Sequence, residues 1–130
     1  MWPSYFAVMA GGALGSAARL WMSGTMAARF GETFPVGTLA VNALGCLVIG
    51  AFTAFTGPDG PLLVPPLMRQ FVSIGVLGGF TTFSSFGLQT ITLISDGEWF
   101  YAALYVFLSV AVCLAFVWIG IILASSLTPK

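Results

Sequence analysis

The sequence predicts an all-α membrane protein with four transmembrane helices, the third of them broken at mid-span. Three observations carry that reading. First, 58% of the 130 residues are hydrophobic and only 6% are charged, whereas a soluble domain carries about 25% charged residues. No aqueous surface can be built from that inventory. Second, the charges leave uncharged runs over 1–18, 33–58, 70–95 and 99–129, and a span needs roughly 20 apolar residues. Four helices therefore occupy nearly the whole of 1–130 as a single membrane domain. Third, the stretch GGFTTFSSFG at 78–87 lies inside one of those runs and does not read as continuous helix.

The first span is expected over about residues 3–29. Gly11 and Gly15 make a GxxxG pair, the spacing at which small residues let membrane helices approach closely. Arg19 falls toward its C-terminal part, where a guanidinium must snorkel, pair, or face a wet vestibule. It serves either as an anchor or as the lining of an anion entrance. The second span is expected over 34–56, with Pro35 in its first turn, where a missing N–H costs nothing. Thr38, Asn42 and Cys46 recur every four residues and share one face. An amide in hydrocarbon must find partners, so Asn42 is either interhelical glue or part of a polar path.

GPDGPLLVPP at 57–66 cannot continue a helix. The third span follows over 67–94, with the break at its centre. Gly78 and Gly79 are poor helix formers, and Thr81 and Thr82 add hydroxyls. Each backbone group freed in hydrocarbon costs several kcal/mol unless protein, ion or water satisfies it. Interrupted spans are a feature of ion-handling membrane proteins. The arms on either side are each too short to cross a core of about 30 Å at ~1.5 Å per residue, so they must act as one discontinuous span. Phe83 and Phe86, three apart on the distal arm, share a face. The fourth span is expected over 99–125, with Trp99 and Tyr101 in an interfacial belt. Glu98 suits its positive N-terminal end, and Tyr105, Ser109 and Cys113 form a thin polar stripe.

Net charge is zero and histidine is absent, which argues against nucleic acid and the usual metal sites. Cys46 and Cys113 both fall within spans, so a disulfide framework is not expected. With four spans, Arg69 and Lys130 lie on one side of the membrane and Arg19 and Arg29 near the other. The positive-inside rule then favours neither orientation. Such a chain can insert both ways, and an antiparallel homodimer is the natural assembly. Four spans are also few for enclosing a conduit.

GGFTTFSSF at 78–86, GGALGSAARL at 11–20 and GTLAVNALGCLVIG at 37–50 resemble the CrcB/Fluc fluoride channels along the whole chain. The resemblance implies a multi-pass protein of the bacterial inner membrane that exports fluoride passively. It further implies a dual-topology antiparallel homodimer with two pores and a structural central sodium ion. No further protein partner is required. By motif, Phe83, Phe86 and Asn42 correspond to pore-lining residues. Thr82, Ser84 and Ser85 are hydroxyl candidates along the path or around the break, and Thr38 shares the Asn42 face. Tyr105 and Ser109 correspond to a polar track, and Gly78 and Thr81 to sodium-binding carbonyls. Cys113 departs from the hydroxyl or glycine expected there.

The chemistry is consistent with that implication. Fluoride is strongly hydrated, and a path must replace its water with neutral donors such as amides and hydroxyls. Electropositive phenylalanine edges solvate an anion weakly enough to release it. Two alternatives differ in class. A small dual-topology drug/proton exporter needs a carboxylate within the membrane, but Glu32, Asp59, Asp96 and Glu98 all fall in expected loops. A non-transporting assembly subunit accounts for the GxxxG packing but not for the paired threonines and phenylalanines at a break. No nucleophile–base pair supports an enzyme.

Overall fold

The computed structural model describes residues 1–128, leaving Lys130 outside the described residues. Among these, all regular structure is helical. Helix α1 (Trp2–Phe30) takes a proline in its first turn. It ends at Gly31, whose φ of 81° only glycine adopts cheaply and whose N–H donates back to the Ala27 carbonyl at 2.9 Å. Helix α2 (Val36–Thr56) begins after Pro35, which sits just outside the helix rather than in its first turn. Glu98 likewise stands just outside the last helix, α6 (Trp99–Ser126), and makes no side-chain cap.

The third segment, Pro66–Ser95, is a chain of short pieces. Helix α3 (Pro66–Gln70) runs into a π-helical turn at Phe71–Val76, then α4 (Leu77–Phe80), then α5 (Phe83–Ser95). Between α4 and α5, Thr81 (φ −80°, ψ 157°) and Thr82 (φ −153°, ψ 116°) are extended. Gly78 and Gly79 remain helical within α4. The interruption therefore falls on the two threonines, not on the glycines that the sequence suggests as breakers.

Three stretches, Val36–Thr56, Pro66–Ser95 and Trp99–Ser126, are long and apolar enough to cross a membrane. Helix α1 has 29 residues but is diluted by glycine, alanine, serine and two arginines. Large apolar side chains such as Phe107, Leu114 and Trp118 stand exposed along α6. A soluble monomer rarely presents so extensive an apolar surface, and lipid or another subunit is its natural cover.

Small residues set the helix packing. Gly11 and Gly15 lie against the backbone of the third segment. A Cβ on Gly11 would come within 2.9 Å of the Gly75 Cα, and one on Gly15 within 2.8 Å of the Phe80 nitrogen. From the other side, a Cβ on Gly79 would come within 2.6 Å of the Gly12 carbonyl oxygen. Two GxxxG pairs, Gly11–Gly15 and Gly75–Gly79, thus mesh backbone to backbone.

Helices α2 and α6 pack equally closely. A Cβ on Gly50 would collide with the Val117 backbone, and one on Gly120 with the backbone at Leu47 and Ala51. The pairs Thr38–Tyr105, Cys46–Cys113 and Gly50–Val117 neighbour one another with the same sequence separation. The two helices therefore run parallel and in register.

Candidate functional site

The site is organised by Thr82. In a continuous helix its N–H would donate to the Gly78 carbonyl. Here it donates instead to Asn42 Oδ1 at 2.7 Å, while Asn42 Nδ2 donates to the Thr82 carbonyl at 2.9 Å. One side chain on α2 thus satisfies both backbone groups of an extended, buried residue, as a low-dielectric interior demands. Asn42 is first of all a clamp on the interruption. Its second N–H remains available, and the residue borders a cavity.

The Thr82 side chain starts α5. Its Oγ1 accepts from the Ser85 N–H at 3.2 Å and lies 3.1 Å from Ser85 Oγ and 3.3 Å from Ser84 Oγ. This is a threonine N-cap, a feature worth about 0.5–2 kcal/mol. Ser85 consequently does not donate to the Thr81 carbonyl, which would be its helical partner. Two neighbouring carbonyls, Gly78 and Thr81, are thereby released from their usual donors. Thr81 turns its hydroxyl back to the Leu77 carbonyl at 2.9 Å, with its methyl packed against Gly45. Any side chain at position 45 would push into that methyl.

Thr82 borders two cavities. The larger, of about 1010 Å³, opens between α1, α2 and α5 and is bordered by Arg19, Thr38, Ser85 and Gln89 and, toward the loops, by Glu32, Asp96 and Glu98. Among the described residues Arg19 makes no ion pair. The other, of about 440 Å³, runs past Asn42, Phe83 and Phe86 to Ser109 and Cys113. Its wall also includes Gly78, Thr81 and Cys46. The Phe83 and Phe86 rings lie 5.2 Å apart with planes inclined at 45°. Phe83 is 83% exposed, so it contributes little to the packing of its own subunit.

Tyr105 borders neither cavity. It is fully buried at 0% exposure, and its hydroxyl donates to Gln89 Oε1 at 2.8 Å with Thr38 beside it. Its ring meets Phe86 at 5.1 Å and Phe34, nearly edge-on, at 5.5 Å. Ser84 is exposed away from both cavities. The structure thus places Thr38, Thr82 and Ser85 on one cavity and Asn42, Thr82, Phe83, Phe86 and Ser109 on the other, with Thr82 bordering both. Arg19 borders the first, and Tyr105 stands behind the wall.

Sequence reasoning missed Gln89, Phe34 and Gly45. Gln89 carried a usable signal, since it is a neutral amide inside an uncharged run, as Asn42 is. Nothing in the sequence marked Phe34 or the clearance role of Gly45. The acidic residues Glu32, Asp59 and Asp96 lie in turns and loops, and Glu98 immediately precedes α6.

Comparison with known proteins gives a consistent result. The model of the family described as CrcB-like protein, Camphor Resistance (CrcB), matches residues 6–121. The fluoride-specific ion channel FluC of Rhodospirillum rubrum is 54% identical over 117 residues, covering 90% of this chain and 91% of that protein. The protein of the same name from Opitutus terrae is 51% identical over 123 residues, covering 95% and 93%. That from Paramagnetospirillum magneticum is 45% identical over 122 residues, covering 94% and 95%.

Proposed function

The chain belongs to the CrcB family, and from that premise we propose that it is a fluoride channel: a multi-pass membrane protein, not an enzyme, that lets fluoride leave the cytoplasm passively. The names of its relatives support the class of activity. The observation that carries the reading to this chain is the pair of cavities that share Thr82, the inner one bordered by Asn42, Ser109 and the phenylalanines and by no charged side chain. Arg19 borders the wider cavity, where it offsets part of the negative charge of Glu32, Asp96 and Glu98, which border it too. Inside, Thr38 and Ser85 offer hydroxyls, and Asn42 offers the N–H that the clamp leaves over. Beyond them Phe83 and Phe86 present polarised edges and Ser109 a further hydroxyl. No lysine lies along this route, so binding stays weak enough for release. A negative-inside potential supplies about 2.3 kcal/mol per elementary charge per 100 mV, enough to drive export without coupling.

The reading extends to assembly. Helix α1 completes a four-span subunit, placed in the bacterial inner membrane. Two subunits pair antiparallel and give two pores, an arrangement favoured by the balanced basic residues and by the exposure of Phe83 beside its cavity. Sodium fits the released Gly78 and Thr81 carbonyls, because neutral oxygens without a nearby carboxylate suit a monovalent hard cation. Bound there, the ion would supply positive charge to backbone oxygens that the interruption leaves without donors. Tyr105 acts from behind the wall, holding Gln89 and the edge of Phe86 in place.

The test is efflux from liposomes loaded with fluoride or chloride. Fluoride efflux with chloride strongly excluded is expected, and equal efflux of the two ions would overturn the proposal.

A further inference from the structure

Taking the smaller cavity to be the fluoride path, we propose that Cys46 and Cys113 form a two-thiolate site for a soft divalent cation of the mercuric class, and that a cation held there obstructs the path. The thiols are placed by helix packing rather than by chance proximity. They occupy the same register step as Thr38–Tyr105 and Gly50–Val117 across parallel α2 and α6. About one turn beyond Cys46, Gly50 brings the two backbones together, which confines the thiol pair laterally. Both residues border the cavity of about 440 Å³, both are partly buried, and neither is in a disulfide.

The donor set selects the ligand. Thiolate sulfur prefers soft metals. Among the described residues no third histidine, cysteine, aspartate or glutamate joins the pair, so a four-coordinate zinc site is not available. A linear two-coordinate ion is satisfied by two sulfurs alone. Charge then decides between the soft ions. Two thiolates and a divalent cation sum to zero, whereas a monovalent cuprous or silver ion would leave a net negative charge in an apolar wall, which is costly. On binding, each thiol loses its proton to water, two sulfur–metal bonds form, and no electrons are transferred. Asn42 and Ser109 lie one turn before Cys46 and Cys113 respectively. The bound ion would therefore stand in the cavity directly beyond the donors of the proposed path.

The experiment uses purified wild-type protein with mercuric chloride, read first without any flux measurement. One mercury ion per chain is expected, with both thiols lost to a thiol reagent and two sulfur neighbours seen by X-ray absorption. Cys46→Ala and Cys113→Ala variants should each surrender mercury to glutathione at roughly a hundredfold lower glutathione concentration, because the second thiol acts at high effective concentration. One sulfur neighbour per mercury, or wild-type retention no better than that of the single variants, would overturn the site. In liposomes, mercury should suppress wild-type efflux reversibly by dithiol and leave the Cys46→Ala/Cys113→Ala double variant at its own untreated rate. Bridged mercury with unchanged wild-type efflux would overturn obstruction and count against this cavity as the path, while the metal site itself would stand.

Discussion

Replacing Asn42 with leucine tests its clamp on Thr82 and its proposed role in the path by two separate readouts. Leucine is similar in size but can neither accept from the Thr82 N–H nor donate to its carbonyl, contacts of 2.7 and 2.9 Å in the native chain. Thr82 is buried, with 8% of its surface exposed, so water cannot readily replace the amide. A buried polar group left without a partner costs about 1–3 kcal/mol. Interhelical hydrogen bonds measured within membranes average nearer ~0.6 and reach ~1.7 kcal/mol. The Thr82 N–H loses its partner, while its carbonyl, as the N-cap oxygen, keeps the first hydrogen bond of α5. The expected loss is therefore roughly 1–3 kcal/mol. The assay is reversible unfolding of purified protein in mixed micelles of increasing dodecyl sulfate fraction, followed by circular dichroism. Thr82→Val is the companion variant, since it removes the Oγ1 cap of α5 but keeps both Asn42 contacts, at about 0.5–2 kcal/mol. If Asn42→Leu unfolds at the wild-type midpoint and loses only fluoride flux, Asn42 is a pore donor without a clamping role, and the account of the interruption is wrong.

The remaining expectations concern packing and the path. Gly15→Ala places a methyl against the Phe80 nitrogen and should destabilise by about 1–3 kcal/mol. Gly12→Ala meets nothing within 4 Å and should be neutral or stabilising by up to about 1 kcal/mol, so equal midpoints for the two variants would refute the backbone contact. Phe83→Ile and Phe86→Ile should cut fluoride efflux sharply in folded protein, Phe83→Ile with the smaller stability cost because its ring is largely exposed. Normal efflux in both would reduce the rings to filler. Tyr105→Phe leaves Gln89 Oε1 without its donor and should cost about 0.5–1.5 kcal/mol, together with reduced efflux as Phe86 and Gln89 lose a fixed neighbour. Wild-type efflux in that variant would remove Tyr105 from any positioning role.

Much of this protein was legible along the chain because hydrocarbon tolerates so little. Long uncharged runs read as helices, and four acids outside those runs argued against a proton-coupled exporter. The Gly11–Gly15 pair and the two i, i+4, i+8 stripes were readable because helical periodicity maps sequence spacing directly onto a face. The position of the break was less legible. Glycine propensity pointed to Gly78 and Gly79, yet both stay helical while Thr81 and Thr82 extend. The deciding contact is the side chain of Asn42, distant in sequence, and local propensity yields to a tertiary partner that satisfies both groups of one residue.

By itself, then, the sequence determined an all-helical membrane class of molecule and which residues share a helix face, because each follows from composition or from spacing within one helix. Tertiary structure decided what those residues do. Parallel packing through Gly50 and Gly120 set the α2 and α6 stripes in register, bringing Cys46 to Cys113 and Thr38 to Tyr105. The same packing placed Tyr105 behind the wall, tied to a Gln89 that sequence reading had passed over. Gly45 became the clearance for Thr81, and Asn42 a clamp as well as a donor. Such relations depend on which faces meet and at what height, and a one-dimensional period carries no information about the neighbouring helix.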